Sequence, residues 1–291
     1  MQIIIPMVGS GERFRSAGYK EPKPLIKVHG RPIIEYVVNL FPGEENFLFI
    51  VGDEDLKKTG LKKVLFSLKP RAKVMGIASH KRGPVFTLAQ SVDYIEDKEP
   101  VIVNYCDFFM YWDYGDFKKT MKKEDPASCS SCYKGFHPHL LGQNFYAGVR
   151  LDPDRQILEV REKHSFTPDK MDTWQQTGTF YFRSGELLKK YSEKLLASGE
   201  SLNGEYYASL LYNPMIEDGL RCTIYPVEYF CQWGTPEDLA EYNGWADAVQ
   251  SGLATPTVLK LDSSRYGKQE SAELALRYWQ EFFFKNPFYW D

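Results

Sequence analysis

The apolar positions of the first hundred residues alternate between strand-like and helix-like spacing. Ile3-Ile4-Ile5 is a continuous apolar run, as expected of a short strand buried on both faces. Pro32 stands where a helix can begin, and Ile33, Ile34, Val37, Val38 and Phe41 follow at helical intervals. Residues 47–51 read as a second strand. Residues 55–68 read as mostly helical through Leu56, Leu61, Val64, Leu65 and Leu68. A third strand is predicted at 73–78, a helix at 85–95 and a fourth strand at 100–104. This rhythm predicts an α/β fold with a mixed, mostly parallel sheet covered by helices.

Beyond residue 127 the pattern changes. Strands are predicted at 128–134, 144–151, 156–161 and 176–183, and helices at 184–196, 204–218 and 236–249. These segments continue the sheet and add a lobe that helps form a second substrate site. Residues 251–264 are polar and turn-rich. Residues 269–284 read as a helix carrying Leu274, Leu276, Tyr278, Trp279, Phe282 and Phe283, a heavy aromatic load for an exposed helix. Such a helix docks on its parent domain or joins subunits into a homo-oligomer. The chain therefore divides into a main domain, 1–250, and an extension, 251–291.

Composition narrows the function classes. At 43% hydrophobic and 15% aromatic residues, the 291-residue chain is too apolar to be disordered. Its 36 Lys and Arg against 39 Asp and Glu leave a net charge of −3, which argues against nucleic acid as a partner. No run of 18 apolar residues suggests a membrane span, and the N-terminus lacks the basic and apolar regions of a secretory signal. Five cysteines do not resemble a disulfide framework, so a reducing cytoplasm is the expected compartment. Cys129-x-x-Cys132 falls in a predicted strand and reads as a pair of inert thiols.

In open α/β sheets, ligand loops gather at the carboxyl ends of strands. Two polar segments follow predicted strands here. The first runs from Gly9-Ser10-Gly11-Glu12-Arg13-Phe14 to Glu21-Pro22-Lys23-Pro24-Leu25. Its glycines let backbone N–H groups turn toward an anion. Arg13 adds a fork of donors, and Lys23 a second positive charge between two prolines. This set suits a triphosphate. It is neither a P-loop, which needs Gly-Lys-Ser/Thr, nor a dinucleotide fingerprint, whose third glycine is absent. The second is Asn104-Tyr105-Cys106-Asp107, whose carboxylate suits Mg²⁺. Gly83, in His80-Lys81-Arg82-Gly83-Pro84, precedes a predicted helix and permits close approach of an anionic ligand. Asp113 and Asp116 read as a turn and helix start.

The Gly-rich loop with Pro22-Lys23-Pro24-Leu25 resembles the signature of the nucleotidyltransferases that make nucleotide sugars from sugar 1-phosphates. The resemblance spans roughly residues 1–248 and implies a Rossmann-like fold. It assigns the nucleotide to Gly9, Ser10, Gly11, Arg13, Lys23 and Gly83, and catalysis to Arg13, Lys23 and Asp107. It assigns the acceptor to Glu162 and Lys163, as in the family's Glu-Lys-Pro segment with His164 in place of proline. Gly178 of Thr177-Gly178-Thr179 and Glu205 of Asn203-Gly204-Glu205 are also similar to acceptor-facing positions.

Cys231-Gln232-Trp233-Gly234-Thr235-Pro236-Glu237-Asp238 resembles the family's closing segment, with one departure. The family places a second metal-binding aspartate where Gln232 stands. An amide oxygen can coordinate a cation but brings no charge.

The implied reaction is Mg²⁺-dependent transfer of a nucleotidyl group from an NTP to a sugar 1-phosphate or similar small phosphorylated acceptor. The implied context is cell-surface polysaccharide synthesis, capsule included. A regulatory nucleotide-binding protein without turnover and a glycosyltransferase using a finished nucleotide sugar are the alternatives.

Overall fold

The computed structural model describes residues 1–9, 11–143, 146–251 and 269–285. In its first half, β1 (Gln2–Met7) leads to α1 (Glu12–Ser16), a two-stranded hairpin of β2 (Lys27–Val28) and β3 (Arg31–Pro32), and α2 (Ile33–Asn39). Then come β4 (Phe47–Gly52), α3 (Asp53–Lys58), α4 (Leu61–Leu68), β5 (Lys73–Ile77), α5 (Pro84–Ala89), β6 (Val101–Asn104), β7 (Phe108–Tyr111) and α6 (Tyr114–Glu124). The second half has β8 (Ser128–Tyr133), β9 (Gly148–Leu151), β10 (Ile157–Arg161), β11 (Trp174–Phe182), α7 (Gly185–Ser198), α8 (Tyr212–Glu217), β12 (Cys222–Pro226), β13 (Tyr229–Gln232), α9 (Pro236–Gln250) and α10 (Gln269–Lys285).

Nine strands form the central sheet, in the order β10-β9-β11-β6-β1-β4-β5, with β8 on β11 and β12 on β8. β5, β4, β1, β6, β8, β12 and β9 point one way, while β11 and β10 run against them. This is a mixed, largely parallel Rossmann-like fold. β1, β4 and β6, in the middle of the sheet, are almost wholly apolar because both of their faces are covered. Ile3 and Ile5 of β1, Phe47, Phe49 and Val51 of β4 and Ile102 of β6 enter one core with α2, α4, α6, α9 and α10. Ile4, Leu48, Ile50, Val101 and Val103 enter the other, with α5, α7 and α8. Each such side chain, fully buried, contributes about 1.5–3 kcal/mol.

The predicted helix at 55–68 is two helices. Thr59 ends α3 in an extended conformation, its hydroxyl donating to the Asp55 carbonyl and accepting from Leu61 N. The predicted helix at 85–95 stops at Ala89, and a 3-10 turn (Val92–Tyr94) follows. The predicted helix at 204–218 shrinks to a 3-10 turn (Ala208–Leu211) and α8. The preceding residues bend through Asn203 and Gly204, both at positive φ, and Tyr206 then pairs its backbone with Arg82 and Val85. That long-range pairing overrides the local apolar spacing. β7, β12 and β13 are strands that the alternating pattern did not disclose.

Cys129 and Cys132 lie in β8 but enter different cores, because an odd spacing along a strand points side chains to opposite faces. Asp113 caps α6 by accepting from Asp116 N, as a turn and helix start requires. α10 lays Ala275, Tyr278, Trp279, Phe282 and Phe283 on the first core, at i, i+3, i+4, i+7 and i+8. Tyr278 Oη donates to the Phe230 carbonyl and accepts from its N–H, and Tyr111 Oη donates to the Phe282 carbonyl. Leu274 and Phe284 stay exposed. Among the described residues, no helix is long and apolar enough to cross a membrane.

Candidate active site

The loops after β1 and β6 meet across the sheet edge. β1 and β6 are adjacent parallel strands, so their carboxyl ends open on the same side. Gly11 takes a left-handed φ of +61° and starts α1, aiming the short helix and Arg13 over the cleft. Lys23 opens a 3-10 turn between Pro22 and Pro24. Its Nζ donates to Asp107 Oδ2 at 2.7 Å and to the Gly234 carbonyl at 3.2 Å. Three segments far apart in the chain converge there. The third segment follows β13, which pairs antiparallel with β7 and sets Gln232 opposite Phe108. Trp233 N donates to the Asp107 carbonyl at 2.7 Å, which holds the two loops in register.

Two chambers open on either side of this junction. The larger, about 400 Å³, is lined by Gly9, Gly11, Arg13, Lys23, Gly83 and Asp107, and by Glu205. The smaller, about 190 Å³, is lined by Glu162, Lys163, Gly178 and Gln232 among others. Arg13, Tyr105, Asp107, Tyr207 and Gly234 line both. The residues expected at the nucleotide therefore gather in one chamber, apart from Ser10, which lies outside the described residues. Three of the four expected at the acceptor gather in the other. Glu205 faces the larger chamber instead, because the turn at Asn203 and Gly204 carries it toward the 80–84 loop.

Gly83 owes its lack of a side chain to the protein itself. At φ +83° its Cβ would stand 2.6 Å from Tyr206 N and 2.7 Å from Tyr206 O. Lys81 lines the larger chamber and reaches Glu12 at 2.7 Å, whereas Arg82 packs over the Phe86 ring at 3.8 Å. Gly178, at φ +111°, lies where the pairing of β11 with β8 shifts register. Its carbonyl accepts from Tyr105 N at 3.0 Å, tying β11 to the Asp107 loop. Lys163 is left-handed at φ +51°. A proline at 164 would drive residue 163 toward extended backbone, and His164 removes that restriction.

Burial pushes the Glu162 carboxyl up to about 7, against the opposing effects of a hydrogen bond from Ser209 and the Lys163 charge. Burial also raises the Tyr105 phenol, whose oxygen accepts from Ala208 N. The smaller chamber thus holds an acid poised near neutrality beside a lysine and aromatic walls. Tyr105 and Asp238 stand inside the Asn104–Asp107 and Cys231–Asp238 motifs without a role predicted from sequence, and Tyr207 lies two residues beyond the Asn203-Gly204-Glu205 motif. Gln176 and Ser209 carried no sequence signal.

The solved structure of a nucleoside-diphosphate-sugar pyrophosphorylase from Vibrio cholerae RC9 superposes with a TM-score of 0.69, covering 82% of this chain and 98% of that one at 20% identity. The inositol-1-phosphate CTP transferase from T. maritima gives 0.62, covering 81% and 90% at 17% identity. The chain has the sugar-nucleotidyltransferase fold. No protein-family model and no curated protein sequence matches it.

Within the sugar-nucleotidyltransferase fold, the polar junction is sparse in carboxylates. Among the described residues no three His, Cys, Asp or Glu side chains gather as a metal cluster. Gln232 is buried, and its Nε2 donates to Asp238 Oδ1 at 2.5 Å. This turns the amide oxygen, the atom able to meet a cation, away from Asp238. Asp238 is itself committed to a capping box with Thr235 at the start of α9. Asp107 and Gln232 line the same chamber and offer oxygen donors of the kind a hard cation takes, with the Asp107 carboxylate already paired with Lys23. They do not form a two-carboxylate clamp.

Proposed function

We propose that the protein transfers a nucleotidyl group from an NTP to a sugar 1-phosphate or similar small phosphorylated acceptor and releases pyrophosphate. The observation that carries this reading is the pair of chambers meeting at Arg13, Asp107 and Gly234, one beside a Gly-rich loop and the other beside Glu162 and Lys163. An acceptor phosphate oxygen would attack the α-phosphorus. A P–O bond forms there, the bond to the β-phosphate bridging oxygen breaks, and pyrophosphate leaves with that electron pair. The nucleophile is already anionic, so the protein's contribution is positioning and charge stabilisation.

Lys163 would hold the acceptor phosphate, while Arg13 and Lys23 would hold the triphosphate and stabilise the leaving group. Mg²⁺, held by Asp107 with Gln232 adjacent, would neutralise phosphate oxygens. The pathway served is synthesis of a cell-surface polysaccharide, carried out in the cytoplasm.

The test is Mg²⁺-dependent pyrophosphate release from CTP, UTP, GTP, ATP and dTTP, each against hexose 1-phosphates, inositol 1-phosphate and phosphocholine. Release requiring one NTP and one acceptor supports the reading. Tight NTP binding without release from any pair would favour a regulatory nucleotide-binding protein, the reading that Gln232 at the metal position supports.

A further inference from the structure

β11 carries a row of buried polar side chains, and all but one are bonded within the protein. Gln175 Oε1 accepts from Tyr133 Oη and its Nε2 donates to the Lys170 carbonyl. The Thr177 hydroxyl bonds to Ser131 Oγ, and Thr179 Oγ1 donates to Asn104 Oδ1. Gln176 differs. It is 2% exposed and lines the smaller chamber, yet neither its Nε2 nor its Oε1 has a hydrogen-bond partner. A buried amide with both ends unpaired is unfavourable and uncommon in folded proteins, so such a group signals a missing partner. Glu162, Gly178, Phe180 and Ser209 line the same chamber.

We infer that Gln176 is a specificity-determining residue, reading a hydroxyl-bearing phosphorylated acceptor through a paired donor and acceptor contact. Adjacent hydroxyl groups both give and take hydrogen bonds and so satisfy both ends of the amide. A trimethylammonium group does neither and would leave both ends dry. Glu162 and Ser209 in the same chamber are bonded to each other, so Gln176 brings an unpaired donor and acceptor to the discrimination. The inference rests on the proposed acceptor role of this chamber and adds what the chamber selects.

The test is calorimetric titration of the full chain and of Gln176→Leu with glucose 1-phosphate, mannose 1-phosphate, inositol 1-phosphate, glycerol 3-phosphate and phosphocholine. Each titration is run in the presence of α,β-methylene analogues of the five NTPs, which bind but cannot transfer. Leucine is close to glutamine in volume and removes the unpaired atoms, so the melting temperature is expected to hold or rise. At least one hydroxylated phosphate should bind the wild type more tightly than phosphocholine does. Gln176→Leu should weaken it about tenfold to a hundredfold while leaving the nucleotide Kd unchanged.

Equal binding to both proteins, preference for phosphocholine, or no binding of any hydroxylated phosphate would each overturn the inference. A lowered melting temperature with unchanged acceptor affinities would make Gln176 merely structural. Gln176-dependent binding without pyrophosphate release would leave the inference standing and sink the transfer reading. Release indifferent to Gln176→Leu would do the reverse.

Discussion

Lys23→Ala is the most informative single change, because one ammonium group bonds to Asp107 and Gly234, which line both chambers. Its Nζ lies 2.7 Å from Asp107 Oδ2 and 3.2 Å from the Gly234 carbonyl, on a side chain only 16% exposed. At an effective dielectric near 20, two charges at that distance attract by ~6 kcal/mol before desolvation. Desolvation of both groups offsets most of this, and a charge-assisted hydrogen bond of this kind leaves about 1.5–3 kcal/mol. The variant should therefore fold but melt several degrees lower. Its effect on catalysis should be larger, because the charge is fixed in place before the pyrophosphate leaves. Removing one such preorganised group typically lowers turnover by roughly 10²–10³.

The assay is initial-rate pyrophosphate release under saturating Mg²⁺, with circular dichroism to confirm the fold. Lys189→Ala is the control. It removes an ion pair of the same length, with Asp97, whose residues line neither chamber, and turnover should stay at the wild-type level. A folded Lys23→Ala protein within threefold of wild-type turnover would refute the role given to Lys23. Asp107→Ala and the double variant complete the cycle, and the two losses should be markedly non-additive.

Three further outcomes are expected. Glu162 holds its proton to about 7 in the folded protein, against an ordinary value of 4.5. The wild type should therefore lose stability relative to Glu162→Gln as pH rises from about 4.5 to 7, with a constant gap above that. Parallel melting curves between pH 4 and 9 would contradict the raised value. Gln232→Asp exchanges the amide bonded to Asp238 for a second carboxylate beside it, so its melting temperature should fall without Mg²⁺ and recover as Mg²⁺ is added. An identical Mg²⁺ response in both proteins would take position 232 out of the cation site. Phe282→Ala removes a fully buried ring packed on Phe109, Tyr111 and Tyr229, and should cost about 3–5 kcal/mol in urea titration. A loss under 1 kcal/mol would mean that α10 is not part of the core.

The parallel half of the sheet was legible because β1, β4 and β6 are covered on both faces, and burial at nearly every position leaves an unbroken apolar run such as Ile3-Ile4-Ile5. Gly11, Arg13, Lys23 and Asp107 were legible because loops after such strands lie at one sheet edge, and their residue types suit phosphate and a hard cation. α10 was legible from its aromatic spacing, although Leu274 and Phe284 face solvent and the spacing alone did not tell docking from subunit contact. The segment 204–218 misled, since its apolar residues fit helical spacing while Tyr206 bonds across to the 82–85 loop. β7 and β13 escaped notice because each is four residues long and its strand partner, the other, lies more than a hundred residues away in the chain.

Local periodicity and residue chemistry thus determined the layered α/β sheet, the phosphate-suited loop and the carboxylate after β6. Only the tertiary structure decided that Glu205 faces the larger chamber, that Gly83 is glycine to admit Tyr206, and that Lys23 spans Asp107 and the loop after β13. It alone left Gln176 buried and unpaired among bonded neighbours. Spacing along a chain reports which face a residue takes, but whether a buried polar group finds a partner depends on atoms brought from distant segments.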